Sequence, residues 1–277
     1  MSDEALDSAH KARLYMGTAG WSYKDWGGSF YREGIRPADM LEEYQHRYRC
    51  VEIDSSFYAI PPQRNIDSWK RRSRPGFLFA PKFPQVISHE KFLHDCDQEL
   101  EVFLQRVQGL GEHLGPLLLQ FPYFNMKSGI NVMGFVGRLS RFLKLFEEKG
   151  GQRLVVEVRN KTFLRAPLLD LLRDHGVPLV ALDHPWMPTP QSYLGTPEWR
   201  TGRFAYLRLL GDRYGIEKIT KTWNRTVLDQ GWRLDSWARW IREQLDQGEV
   251  WVFANNHFAG FAPATIDSLK ERLTTAP

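Results

Sequence analysis

The sequence predicts an α/β protein, a single TIM-like (β/α)8 barrel. Three observations carry that expectation. Eight short apolar runs alternate with helical stretches along 277 residues, and such alternation implies parallel strands with helical crossovers. Nearly every run stops at a polar or charged residue. The runs begin on mostly apolar residues, among them Leu14, Cys50, Phe77, Pro116, Pro178 and Phe204. A barrel keeps its chemistry at the C-terminal strand ends, so this asymmetry is the main functional signal.

The first expected strand covers 14–18, and Gly17, Ala19 and Gly20 close it. A loop with Trp21, Tyr23, Trp26, Phe30 and Tyr31 follows. Pro37 suits the first turn of a helix over 37–49. The second strand opens the stretch Cys50-Val51-Glu52-Ile53-Asp54-Ser55-Ser56-Phe57-Tyr58. Val51 and Ile53 alternate with Glu52 and Asp54, so the two carboxylates are expected on one face. A helix over 63–72 stops before Pro75-Gly76, and the third strand spans 77–82. A loop through Ser88-His89 leads to a helix over 95–110. The fourth strand, 116–121, is stopped by Pro122. An amphipathic helix over 130–149 ends at Gly150-Gly151.

The fifth strand, 154–159, repeats the design of the second, with Val156 and Val158 alternating with Glu157 and Arg159. A helix over 164–175 and a sixth strand over 177–183 follow. The rhythm then breaks, because Pro185, Pro188, Pro190 and Pro197 disfavour a long helix. The seventh strand, 204–210, runs into a polar and aromatic insertion over 211–232. Asp235 is expected to cap a helix reaching 247. The eighth strand is 249–254, and Pro263 opens a last helix to 273. Residues 1–13 are expected as a flexible tail and 14–277 as one domain, with irregular loops after strands 1, 6 and 7.

Composition bounds the function. Hydrophobic residues make up 42% and charged residues 25%, the balance of a soluble globular chain. A net charge of +4 permits an anionic ligand or nucleic acid without requiring either. The two cysteines, Cys50 and Cys96, have no metal-ligand spacing and imply no disulfide framework. Residues 1–13 lack an apolar core, so no secretory signal is read there. No run approaches membrane-spanning length. A cytoplasmic monomer with no membrane partner is the expectation. Gly17-Thr18-Ala19-Gly20 lacks the third glycine of a dinucleotide fingerprint and enters an aromatic loop rather than a helix.

The strand ends supply the candidate residues. Glu157 is the expected general base or acid, with Lys82 and Arg159 stabilising negative charge in the transition state. Asp183 or Glu52 would be a second carboxylate, and His89 a proton shuttle. Glu52, Asp54, Gln120, Arg159, Arg208, Asn255 and Asn256 are expected to bind a polar or anionic ligand. Trp21 and Tyr23 would offer rings to sugars or bases. Each has a structural alternative. Unlike charges at strand ends also form ion-pair networks, Asn suits turns, and loop aromatics serve as core. No cofactor is identified; a divalent metal held by some of Glu52, Asp54, Glu157, Asp183 and His184 is one option. The insertion and its end interleave Arg213, Tyr214, Lys218, Lys221, Trp223, Arg225, Trp232 and Arg233, a pattern suited to phosphate or single-stranded nucleic acid, or to a solvated excursion anchored by Trp.

Gly17-Thr18-Ala19-Gly20-Trp21-Ser22-Tyr23 with Trp26-Gly27-Gly28, and Val51-Glu52-Ile53-Asp54-Ser55-Ser56-Phe57-Tyr58 with Pro61, resemble the YecE-like proteins, domain of unknown function family 72. Lys82 with Ser88-His89, Gln120-Phe121-Pro122, Val156-Glu157-Val158-Arg159 and Asn255-Asn256 resemble its later motifs. The resemblance implies a TIM-like barrel. It implies no reaction; fold analogy compares the family with sugar isomerases and with a metal-dependent endonuclease for abasic DNA. Three positions depart from the family pattern. Asp54 stands where Asn is usual, Phe163 where Trp is common, and Arg208-Leu209-Leu210-Gly211 lacks a frequent His. The functional expectation is a hydrolase or isomerase acting on a polar sugar-containing or phosphorylated ligand. The alternatives are a nucleic-acid-binding or endonuclease-like protein and a non-catalytic metabolite-binding module.

Overall fold

A computed structural model describes residues 6–274. Among them are eight strands: β1 (Leu14–Thr18), β2 (Cys50–Ile53), β3 (Leu78–Pro81), β4 (Leu117–Gln120), β5 (Leu154–Glu157), β6 (Ala181–Asp183), β7 (Ala205–Leu209) and β8 (Val250–Ala254). The pairings of β1 with β8, β4 with β5, β6 with β7 and β7 with β8 are parallel. This is the α/β arrangement that the alternation predicts. β2, β4, β5, β7 and β8 are buried along their whole length. Strands covered on both faces read as continuous apolar runs, which is how most of them stood out in the sequence.

The chain divides into two compact units. One holds residues to 51, 181–197 and 203 onward; the other holds 52–180 and 198–202.

In the first unit the sheet order is β1-β8-β7-β6. The register pairs Thr18 with Ala254, Leu209 with Ala254, and Asp183 with Leu209. The C-terminal ends of these strands therefore lie level, which aligns their polar residues. β1 packs with no room to spare. A Cβ on Gly17 would lie 2.1 Å from the Cys50 carbonyl oxygen, so only glycine fits. Beside it, the Tyr44 hydroxyl donates to the Cys50 carbonyl at 3.1 Å and accepts from the Thr18 N–H at 2.9 Å. The helix Gly231–Leu245 buries Trp237, Ile241 and Leu245 at four-residue spacing, one face of the helix.

In the second unit β2 pairs with β3 and β4 with β5. Parallel bridges between Phe79 and Leu114 and between Lys82 and Leu118 link β3 to β4, and one between Val156 and Leu179 continues past β5. The helix Val132–Glu148 buries Phe135, Leu139, Phe142 and Phe146.

Several elements differ from expectation. The expected tail contains a helix, Ser8–Arg13, capped by Asp7, whose side chain accepts from the His10 N–H at 2.7 Å; residues 1–5 lie outside the described residues. The helix expected over 37–49 ends at Tyr44, because His46 and Arg47 bond three residues back and tighten the chain into turns. The sixth strand starts at Ala181 rather than 177. Pro178 has no N–H to give, and that of Leu179 goes to the Thr201 hydroxyl at 2.8 Å. Asp235 caps nothing: its helix starts at Gly231, and Asp235 accepts from Arg272 at 2.7 Å instead. The expected irregular loops carry short helices, Lys24–Trp26 after β1, Pro190–Leu194 after β6 and Arg213–Ile219 after β7. The loop around Ser88-His89 is a turn of π-helix, Val86–Glu90.

Candidate functional site

β5 ends at Glu157, which is fully buried. Arg159 lies beyond the strand end, yet its Nε donates to Glu157 Oε1 at 3.1 Å. Residues two apart leave an extended chain on the same side, so the alternation did foretell a shared face. Lys82 follows β3 directly and is 8% exposed. Its ammonium sits 4.0 Å from the centre of the Phe57 ring, and His89 meets the same ring edge-on at 4.8 Å. Phe57 belongs to a one-turn helix, Ser55–Tyr58, that bends the chain as soon as β2 ends. An aromatic face attracts a cation, so Phe57 holds Lys82 without neutralising it.

His89 responds to this company. Burial pushes its pKa down to about 4, the charges of Lys82 and Arg159 act in the same direction, and Glu157 opposes them. The imidazole is therefore neutral at neutral pH. Its Nδ1 lies 2.8 Å from the Ser88 hydroxyl, whereas that hydroxyl is 3.5 Å from the Pro84 carbonyl.

The sequence did not single out two supporting residues. The buried Ser56 hydroxyl lies 2.7 Å from the carbonyl oxygens of both Ile53 and Lys82, and accepts from the Lys82 N–H at 3.0 Å. It ties the end of β2 to the residue that carries the ammonium. Asn160 accepts from the Phe124 N–H and donates to the Phe124 carbonyl, both at 2.9 Å, clamping the loops after β4 and β5. Polar residues next to the strand ends were the available signal for both. Glu52 and Gln120 are buried as strand-end residues of this unit, and the Gln120 amide donates to the Phe121 carbonyl. Asp54 is a correction. β2 stops at Ile53, and Asp54 has helical backbone at the start of the Ser55–Tyr58 turn, so Glu52 and Asp54 do not share a strand face.

In the first unit Asp183 is 1% exposed. Arg233 grips it with two hydrogen bonds, one at 3.0 Å, and Trp237 Nε1 donates at 2.6 Å. Both carboxylate oxygens are engaged, as a buried charge requires. His184 Nδ1 accepts from the Trp186 N–H at 3.2 Å. Among the described residues no group of three or more His, Cys, Asp or Glu side chains gathers as metal ligands would. Arg208 is buried on β7.

The loops of this unit are pinned from within. The Tyr23 hydroxyl donates to the Ala19 carbonyl at 2.7 Å, and its ring stacks on Trp26 at 4.7 Å; Trp21 is half-buried, and its carbonyl accepts from Tyr31 at 2.5 Å. Trp26 is fully buried and donates to Asn256 Oδ1 at 3.3 Å, which also accepts from the Ala262 N–H at 3.0 Å. Asn255 Oδ1 accepts from the His257 N–H at 3.0 Å. In the insertion, Arg213 and Lys221 both pair with Glu217, and the Trp223 N–H donates to Asp25 at 3.0 Å. Part of the basic charge there is spent internally.

The family model for proteins of unknown function DUF72 matches residues 15–277. The chain belongs to the DUF72 family. The YecE protein of Escherichia coli K12 is 35% identical over 109 residues, 39% of this chain and 38% of that protein. The YunF protein of Bacillus subtilis is 31% identical over 121 residues, 41% of this chain and 42% of that protein. The chain thus aligns with about two fifths of the length of these curated relatives. A DUF72 family protein from Thermotoga maritima superposes with a TM-score of 0.73 at 25% identity, over 95% of this chain and 99% of that one. A psychrophilic family 10 endo-β-1,4-xylanase superposes at 0.57 and 10% identity, over 95% and 98% of the two chains. That second likeness concerns fold alone, and it is to a TIM-barrel-like protein. Among the described residues of this DUF72 chain, no helix is long and apolar enough to cross a membrane.

Proposed function

We propose that this DUF72 chain is an enzyme of TIM-barrel-like fold that binds a polar anion, sugar-containing or phosphorylated, at the strand ends of its second unit. The reaction class is hydrolysis or isomerisation. The observation behind the reading is the gathering of Glu157, Arg159, Lys82 and His89, with Phe57 between the last two. Lys82, buried, and Arg159, half-buried, bring two cations to these strand ends, and an anionic group or a developing oxyanion is what such a place stabilises. Glu157 accepts a proton from the substrate. His89, neutral at neutral pH, offers a substrate a hydrogen bond rather than a charge. Both reaction classes need this combination: a base at the proton and positive charge at the oxygen. The nucleic-acid reading relies on the 211–232 insertion and the aromatic loop after β1; Glu217 already pairs with Arg213 and Lys221, and Tyr23 of that loop is bonded to Ala19 and stacked on Trp26, so the small anion is favoured.

A panel of sugars and sugar phosphates assayed with the wild type and Glu157→Gln tests the assignment. The expected result is turnover by the wild type, slowed about 100-fold or more by Glu157→Gln with binding retained. Undiminished turnover by Glu157→Gln would remove Glu157 from the chemistry.

A further inference from the structure

A cavity of about 350 Å³ lies at the N-terminal end of the first unit's sheet, where β1 begins. Leu14 and Met16 of β1 and Leu273 give it apolar walls. Its lining also contains Lys11, Arg47, Arg49 and Lys270, and no Asp or Glu. That mixture is unusual, because apolar walls raise the cost of each nearby charge.

Arg47 pairs with Asp267, whereas Arg49 and Lys270 are held by neutral groups that leave them positive. Arg49 donates to the carbonyls of Lys11 and Ala12, both at 3.2 Å, and stacks 4.6 Å over the Tyr15 ring. Neutral oxygens and a ring fix the guanidinium but do not cancel its charge. The Lys270 ammonium donates to the Arg47 carbonyl at 3.3 Å and sits 4.3 Å over the Tyr48 ring. Burial lowers its pKa, with Asp267 opposing and Arg47 reinforcing the shift. Asp267 itself is engaged by Arg47 and by the Tyr48 hydroxyl.

We propose that this cavity binds an amphipathic monocarboxylate with a medium-length apolar tail. The tail replaces water against Leu14, Met16 and Leu273. The carboxylate meets Arg49 and Lys270, and guanidinium geometry suits a carboxylate's two oxygens. Size sets the tail. The volume corresponds to about a dozen waters at roughly 30 Å³ each, so the ligand has about a dozen non-hydrogen atoms. Cavities in the range of about 300–1,000 Å³ are those that take small molecules. The apolar walls disfavour the sugar-containing ligands proposed for the other unit, so the two proposals stand or fall separately.

Calorimetric titration of the full chain with decanoate, 1-decanol and decyl phosphate decides it. The expected result is saturable one-site binding of decanoate, at least tenfold tighter than decanol. Arg49→Gln and Lys270→Met should each weaken decanoate at least tenfold and leave decanol unchanged. Leu273→Trp should fill the cavity and abolish binding of both; if that variant does not fold, the two charge variants decide alone. The proposal is overturned if decanoate fails to saturate below its micelle-forming concentration. It is equally overturned if decanol binds as well, if decyl phosphate binds tighter than decanoate, or if the charge variants bind decanoate like the wild type.

Discussion

Arg159 reaches back and donates to Glu157 at 3.1 Å, so the buried carboxylate at the end of β5 has a cation beside it. A fully buried carboxylate without such a partner would carry a large desolvation cost. The same guanidinium acts on His89, as the Lys82 ammonium does.

The titration of His89 is the first consequence. An imidazole carbon resonance followed by NMR should report a pKa of about 4. Lys82→Met should raise it, because a cation that disfavours protonation is removed. The folded value lies below the ordinary 6.5, so the unfolded chain binds the extra proton between those two values. The stability contribution is then fully present above about 6.5 and is lost as pH falls towards 4. Urea unfolding of the wild type minus that of His89→Gln, taken at several pH values, should show a difference that declines through this window.

Much of the fold was legible because burial leaves a composition trace. β4 and β8 are short apolar runs between turn residues, and the helix Gln63–Arg72 was bounded correctly by its proline flanks. Asp7 ahead of Ser8–Arg13 was a readable cap that the polar composition of the N-terminus obscured. Tertiary bonds were not legible. The sequence offers no hint that Thr201 takes the Leu179 N–H, which delays β6, or that Asp235 turns to Arg272. The same holds at the sites. Glu157 and Arg159 announce themselves by alternation, a local rule. The partners of Asp183 lie 50 and 54 residues along the chain, where no local rule reaches.

Those partners make a stability prediction. Arg233→Met leaves the buried Asp183 carboxylate with the Trp237 indole as its donor, and losing one partner of a buried pair costs about 3–5 kcal/mol. Asp183→Asn added to that variant should recover part of the loss, because no unpaired charge remains. Denaturant unfolding of the two variants checks both statements. Equal stability of Arg233→Met and the wild type would deny the pairing its structural role.

Ser56 predicts a smaller effect with a functional edge. Ser56→Ala removes the hydroxyl that lies between the Ile53 and Lys82 backbones, and a buried polar group left without its partner costs about 1–2 kcal/mol. Because Lys82 loses its tether, affinity for the anionic ligand should fall together with stability. Urea unfolding measures the first effect and ligand titration the second.

The central claim is that Lys82 and Arg159 form one anion-binding place beside Glu157. Calorimetric titration of the full chain with a panel of sugar phosphates tests it most directly, using the wild type, Lys82→Met and Glu157→Gln. The account predicts that at least one phosphorylated sugar binds the wild type, that Lys82→Met weakens it tenfold or more (about 1.4 kcal/mol), and that Glu157→Gln retains binding. Binding to Lys82→Met that matches the wild type, or no binding by any member of the panel, would contradict it.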